Sequence, residues 1–469
     1  MNRVACRWRL AAWLFLAALA GCVRYHAAPL EPRRNADEFA ARRLAEVRLR
    51  DDYLRLLPQA EGWPPREWDR AELLAVAFTQ NPQLAVARAE VKAAQAREII
   101  AAQAPNPDLT LQSEYARRDS HPWLYGVSLN WLLRSPLRRR LDKEIAGLDT
   151  GNARLELMDL AWAVRSALAS ALSDLESLRR RSDLLERLAA AQDRLLALER
   201  RRVALGEDSP NDLLIAQQAR LQVAQQRAEL RELGETAQGA AAKALGLPPQ
   251  ALDGLALAWP EWGAPPPVEE EVRRAAREQA LLSRADLGQA MAAYSAAEAM
   301  LRQSSAGQYP QFVLSPGYYW DHGIAKFPFD VGFTLPLNRN QGEIAEARAG
   351  RERAGRRILA LQAEIYGEIA SAERREEIAR EGFDAAERRL DGARRQKTTA
   401  DLSLSLGAID LEEQIGAEIM TMRAELDGLE MRTLMQSARN GLENALRAPL
   451  SGPELGLAKA MTLVSGTAP

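Results

Sequence analysis

The chain has 469 residues, 47% apolar and 27% charged, with 62 basic against 64 acidic side chains and a net charge of −2. That is the composition of an ordinary folded protein, which excludes a disordered chain and gives no electrostatic reason for a nucleic-acid partner. Two cysteines and three histidines are too few for a zinc ribbon, an iron–sulfur cluster or a disulfide framework.

Residues 1–21 read as a signal peptide. Arg3, Arg7 and Arg9 form a basic start, and Leu10 to Leu19 is an apolar run too short to span a bilayer as a helix. Leu19-Ala-Gly-Cys22 follows, and it resembles the bacterial lipobox, where cleavage before the cysteine leaves an acylated N-terminus. Cys6 would leave with the signal, so the mature chain would keep one cysteine, Cys22, itself carrying lipid. Several acyl chains at about 0.8 kcal/mol per buried methylene make a durable anchor. Val23 in place of an aspartate resembles the pattern retained in the outer membrane.

Residues 22–68 read as a lipidated N-terminal extension. Beyond it the chain is duplicated: Asn81-Pro-Gln-Leu to Ala96 returns without a gap as Arg284-Ala-Asp-Leu to Ala299, an offset of 203, and Pro107, Leu111 and Tyr115 fall on Pro310, Leu314 and Tyr318. The first repeat is expected over 69–250, the second over 270–448, with a Pro-rich linker at 251–269 and a C-terminal tail at 449–469.

Each repeat opens with a helix of small residues, about 70–104 and about 270–307, which ends near a proline where the period changes from 3.6 to 2. A β-hairpin is predicted at about 107–133 and another at about 309–337. Leu109, Leu111 and Tyr115 alternate with Thr110, Gln112 and Glu114, and Phe329, Val331 and Phe333 do the same in the second half. The two windows hold 12 of the 27 aromatic residues in 56 positions, a clustering that resembles the aromatic girdle of an outer-membrane barrel. In that reading Val331, Phe333 and Leu335 face lipid.

A coiled-coil hairpin then follows in each repeat, at about 137–246 and about 341–447. In the first, apolar residues at Val164, Leu168, Ala171, Leu175 and Leu178 step by four and three. About 70 residues at 1.5 Å each give a rod of roughly 105 Å. Gly206 to Asn211 breaks it, whereas the second break, placed near Thr398-Thr-Ala-Asp401, lacks a comparable glycine.

The signal with its lipobox, Trp68-Asp-Arg-Ala-Glu-Leu-Leu, Asn81-Pro-Gln-Leu, the two helix–hairpin–helix–helix halves and Leu335-Pro-Leu-Asn-Arg-Asn-Gln-Gly-Glu343 together resemble the TolC-like outer membrane factor family. The last motif is most similar to its metal-efflux branch. The expected fold is mainly α with membrane β, four strands per chain. Four strands cannot close, and open edges in lipid strand backbone groups without partners, so oligomerisation follows. Strand count allows two copies or three; the resemblance implies a homotrimer with a 12-stranded barrel. It also implies an outer membrane exit duct with a long periplasmic extension, docking to a periplasmic membrane-fusion adaptor and an inner-membrane resistance–nodulation–division or ABC pump, for metal-ion or drug efflux. The adaptor-contact tip would be Val203, Leu205, Gly206 and Asp208. Asp401 and Asp410 would ring the periplasmic gate.

No glycine-rich phosphate loop, His-Glu-x-x-His motif or nucleophile elbow is present, so no enzyme, catalytic residue, metal site or cofactor beyond the lipid on Cys22 is expected. Glu376-Glu377 and Glu412-Glu413 read as solvated helix faces, and His121 and His322 as polar turn residues. Two other readings share these features: a type I protein secretion duct, and a non-conducting periplasmic coiled-coil lipoprotein, which would not need aromatic alternating strands.

Overall fold

The computed structural model describes residues 25–58, 62–118, 120–263 and 265–456; the signal segment, Cys22 and the last thirteen residues lie outside them. Residues up to Arg42 are one unit, carrying the exposed helix α1 (Pro32–Ala40) with an Arg34–Glu38 ion pair of 2.8 Å. From Arg43 onward the chain is a second unit, which holds every feature described below.

Its elements in chain order are α2 (Arg50–Leu56), α3 (Arg70–Gln80), α4 (Pro82–Ala102), β1 (Asp108–Tyr115), β2 (Trp123–Leu133), α5 (Pro136–Leu205), α6 (Pro210–Leu245), α7 (Glu270–Ser283), α8 (Ala285–Ala306), β3 (Phe312–Asp321), β4 (Ile324–Lys326), β5 (Phe329–Phe333), α9 (Gln341–Ser405) and α10 (Leu411–Leu446). The duplication is visible in the lengths. α4, α5 and α6 have 21, 70 and 36 residues, and α8, α9 and α10 have 22, 65 and 36. At 1.5 Å per residue α5 and α9 are rods of about 105 and 98 Å. Each packs against two shorter helices, α5 against α4 and α6, α9 against α8 and α10, and α5 also meets α8 and α10, joining the halves.

Local chemistry explains where the rods start and stop. Ser135 and Ser209 cap α5 and α6 with prolines at the first helical position, where the missing N–H costs nothing. Gly206 (φ 76°) and Gly246 (φ 74°) end them in the left-handed region that glycine enters freely. Among the described residues no helix is long and apolar enough to cross a membrane.

The expected single helices at about 70–104 and 270–307 are each broken in two, at Asn81 and at Arg284. Asn81 precedes a proline, which disfavours helical backbone there, and its ψ is 121°. Its side chain then takes on two tasks. Oδ1 accepts from the amides of Gln83 and Leu84 at 2.9 and 3.2 Å, and Nδ2 donates to the carbonyl of Ala244 at 2.8 Å. Arg284, the repeat partner, donates to the carbonyl of Ala445 at 2.9 Å. Both breaks therefore clamp the end of the returning helix of their own half. Gly246 is required at that contact for a second reason: a Cβ there would stand 2.8 Å from Asn81 Cα.

The described residues of the expected extension from Arg43 on, of the linker and of the tail up to Gly456 pack against the helices. Tyr53 of α2 is buried and donates to Glu72 Oε1 at 2.7 Å, while Glu72 closes a capping box with Asp69. In the expected linker, Trp262 is fully buried; its Nε1–H donates to Ser173 Oγ at 3.1 Å and its carbonyl accepts from Gln436 at 2.9 Å. Residues on either side of Leu257 bond backbone-to-backbone with Trp68 at 2.8 and 2.9 Å. Leu450 and Glu454 of the tail are buried too. Together they form a belt partway along the rods, held by two buried ionic groups. Arg165 of α5, 2% exposed, donates to Glu454 at 2.6 Å, to Asn440 at 3.2 Å and to Glu443. Arg439 and Arg273 bond Glu376 at 2.7 and 2.9 Å. Glu376 is thus no solvated face residue, although the neighbouring Glu377 is exposed and pairs with Arg374. Burial alone would push the Glu376 carboxyl up, but the two guanidiniums outweigh it and hold it below the usual range.

Candidate functional site

The two ends of the rods carry the features that composition cannot explain. At one end the strands form an antiparallel sheet in the order β1-β2-β3, with β4 and β5 both paired to the far side of β3. β4 and β5 are two parts of one fourth strand interrupted at Phe327-Pro328, where Pro328 lends its carbonyl to Gly317 N at 2.9 Å. The pairing of β2 with β3 joins the two repeats.

Register decides what each face presents. Leu109 lies opposite Leu129, Leu111 opposite Val127, Tyr115 opposite Trp123. Across β3, Tyr125 meets Trp320, Val127 meets Tyr318, Trp131 meets Leu314 and Leu133 meets Phe312, and Phe312 and Leu314 meet Phe333 and Val331. Because side chains alternate, these residues all stand on one face. The other face carries Thr110, Ser128, Asn130 and Ser315, with Ser315 Oγ donating to Asn130 Oδ1 at 2.7 Å and Asn130 donating to Thr110 at 3.3 Å. Glycine has a packing role here as well, since a Cβ on Gly126 would collide with the ring of its cross-strand partner Tyr319. β1 and the β4/β5 strand each leave one edge without a partner strand among the described residues.

The apolar face is banded. From Leu133 to Trp123 are ten residue steps, about 33 Å at 3.3 Å each, or about 25 Å tall at the tilt usual for barrels. Tyr115, Trp123, Tyr125 and Trp320 sit at the turn end, and Trp131, Phe312 and Phe333 toward the helices. Leu109, Leu111, Val127 and Leu129 lie between. Phe333 is at the rim of the band rather than its middle.

The motif Asn338-Arg-Asn-Gln-Gly links this sheet to α9. Arg339 (φ 48°) and Asn340 (φ 56°) are successive left-handed residues, and Asn340 Nδ2 donates to the carbonyl of Ser304 at 2.8 Å. It is a turn that launches one rod and ties it to α8. Asparagine tolerates that conformation better than most side chains.

At the opposite end the hairpins turn. Val203 and Asp208 are half-buried, Gly206 is exposed, and Leu205 is 74% exposed. The second turn departs from the sequence expectation. α9 continues through 398–401 because Thr398 and Thr399 satisfy their hydroxyls on the carbonyls of Arg394 and Arg395 at 3.0 and 3.1 Å. The chain reverses later, at Leu406-Gly407, with Gly407 at φ 71°. The glycine missing near 398–401 is therefore present six residues on, and Leu406, 74% exposed, stands where Leu205 stands in the first turn.

Asp401 and Asp410 accordingly occupy different places. Asp401 is still inside α9, where Lys397 Nζ and Gln414 Nε2 each donate to it at 2.7 Å. Asp410 caps α10, accepting from Glu413 N at 2.9 Å. The bonds from Lys397 and then Gln414 hold Asp401 below the usual carboxylate range, and the Glu413 amide followed by Arg202 does so for Asp410. Sequence reasoning missed Arg202. It donates to Asp208 Oδ1 at 3.0 Å and Asp410 Oδ2 at 2.9 Å and lies 3.2 Å from Glu412 Oε2, so one guanidinium joins the two tips. A basic residue in the last turn of a helix was its only sequence signal.

No protein-family model matches the sequence, and no curated protein does. Solved structures do. A membrane protein from Pseudomonas aeruginosa superimposes with TM-score 0.68 at 18% identity, over 82% of this chain and 92% of its own. The outer membrane protein VceC from Vibrio cholerae gives 0.65 at 18%, over 81% and 97%. The Campylobacter jejuni CmeC outer membrane channel gives 0.68 at 13%, over 84% and 89%.

The chain shares the fold of VceC and CmeC.

In that channel fold the banded sheet and the two hairpin tips are the ends of one helical column. The belt lies between them.

Proposed function

We propose that the protein is the outer membrane exit duct of a tripartite efflux system for metal ions or drugs. The observation that carries this is a sheet with one continuous apolar, aromatic-rimmed face and two open edges among the described residues, standing on helical rods about 100 Å long. In lipid such a sheet needs its edges paired, and three copies give a twelve-stranded barrel with the polar face of Thr110, Asn130 and Ser315 inward. The similarity to the CmeC channel supports the same reading. The helical column extends into the periplasm, and its tips dock a membrane-fusion adaptor through Val203, Leu205, Gly206 and Asp208, which connects to a resistance–nodulation–division or ABC pump. A passive conduit must be shut at rest, and Asp401 and Asp410 supply carboxylates where the hairpins constrict it.

Planar-bilayer recording of the purified protein tests this. Discrete conductance steps are expected, with cation selectivity and block by di- and trivalent cations. Asp401→Ala with Asp410→Ala should weaken both. Since their neighbours hold both carboxyls low, the block should persist as pH falls through the ordinary carboxylate range. An absence of conductance would refute the duct, and unchanged block in the double variant would remove these aspartates from the gate.

The duct is also anchored by lipid on Cys22. Fatty-acid labelling should be lost in Cys22→Ser, and equal labelling of variant and wild type would refute acylation there. Membrane insertion should survive, because the barrel holds the protein by itself.

A further inference from the structure

Between the two hairpin tips lies a group of side chains of which the duct reading uses only Asp208. Glu199 is two turns before the end of α5, Asp208 is in the first turn, and Glu412 is in the first turn of α10. One carboxylate oxygen from each lies within 4.8 Å of the others. Glu199 is 4% exposed, and its Oε2 is shielded and has no hydrogen-bond partner among the described residues. Shielded carboxylate oxygens are normally satisfied. Among the described residues the ion pairs of this group all go to Arg202, which is shared among Asp208, Asp410 and Glu412, so with Glu199 four carboxylates gather around one guanidinium. Burial, then Glu412 and Asp208, push the Glu199 carboxyl up, and Arg202 offsets this only in part.

We propose that Glu199, Asp208 and Glu412 form a divalent-cation site that staples the first hairpin tip to the second. Three carboxylate oxygens with no nitrogen or sulfur donor suit a hard cation such as Ca²⁺, Mg²⁺ or Mn²⁺ rather than zinc or copper, and water completes the coordination. Arg202 stays on Asp410, and the cation shares with it Asp208, both of whose oxygens Arg202 reaches at 3.0 and 2.5 Å, and Glu412. This site lies within one chain, between hairpins; it takes neither Asp401 nor Asp410 as a ligand, although Asp410 shares Arg202 with Asp208 and Glu412. It does not depend on the duct reading, because binding is measured on the protein alone.

The test is a Mn²⁺ titration of the purified full-length protein in detergent at neutral pH, followed by electron paramagnetic resonance. One saturable Mn²⁺ per chain is expected, displaced by Ca²⁺. Glu199→Gln and, separately, the more exposed Glu412→Gln should each weaken it at least tenfold, while Glu207→Gln, exposed in the same turn, should not. Spin labels at Leu205→Cys and Leu406→Cys should move apart on chelation. No saturable binding, unchanged affinity in Glu199→Gln, or a label distance indifferent to the cation would each overturn the proposal.

Discussion

In the proposed barrel, Leu129→Arg should destabilise the protein by about 2–4 kcal/mol per chain, the cost of an arginine at the bilayer midplane. Leu129 sits opposite Leu109, with Val127 and Leu111 on one side and Trp131 and Leu314 on the other. It is near the middle of the band, so its guanidinium would have the longest path to water. Ser128→Arg, one residue away on the polar face beside Asn130, should cost far less, because a lumen-facing arginine stays hydrated. Phe333→Arg should fall between them, since Phe333 stands at the rim with Phe312, where the penalty shrinks. Guanidinium unfolding of the three variants in phospholipid vesicles measures the order. Equal losses for Leu129→Arg and Ser128→Arg would reject the assignment of faces.

That ordering was largely legible in the sequence, and the reason is physical. Period-two alternation in Leu109-Thr-Leu-Gln and Phe329-Asp-Val-Gly fixes which residues share a face before any partner strand is known. Rod lengths were legible too, since a four-three seam and the absence of proline are local properties. What failed to show was whatever depends on distant partners. The helix break at Asn81 had a local sign in Pro82, but the one at Arg284 had none; it is set by the contact with Ala445. The belt was hidden because its segments have no periodicity of their own and gain structure by inserting Trp262, Leu450 and Glu454 among residues far away in the chain. The turn near Thr398-Thr was misplaced because threonine back-bonding keeps polar residues inside a helix. At the tips Asp208 and Asp410 could be named one at a time, but only folding brings Arg202, more than 200 residues before Asp410, into contact with both.

Of single substitutions away from the sheet, Arg165→Leu should have the largest effect, a loss of about 3–5 kcal/mol from leaving buried carboxylates without their counter-charge. Arg165 is 2% exposed and reaches three partners at once: Glu443 and Asn440 on α10, and Glu454 in the tail. Glu443 is further tied to the amide of Leu450 at 2.9 Å, and Glu454 lies 3.7 Å from Arg70. One guanidinium on the first repeat therefore holds a helix of the second repeat and the chain end. Leucine roughly fills the space near Cα but leaves two carboxylates facing each other in a site that excludes water. If the loss comes from those charges rather than from packing, Glu443→Gln and Glu454→Gln added to Arg165→Leu should recover much of it, although each alone is destabilising in the wild type. Thermal unfolding of the wild type, Arg165→Leu, the Glu443→Gln/Glu454→Gln double variant and the triple variant, followed by helix signal, provides the cycle. A triple variant no more stable than Arg165→Leu would show that the arginine acts through packing, and the belt would then be held mainly by Trp262 and its neighbours.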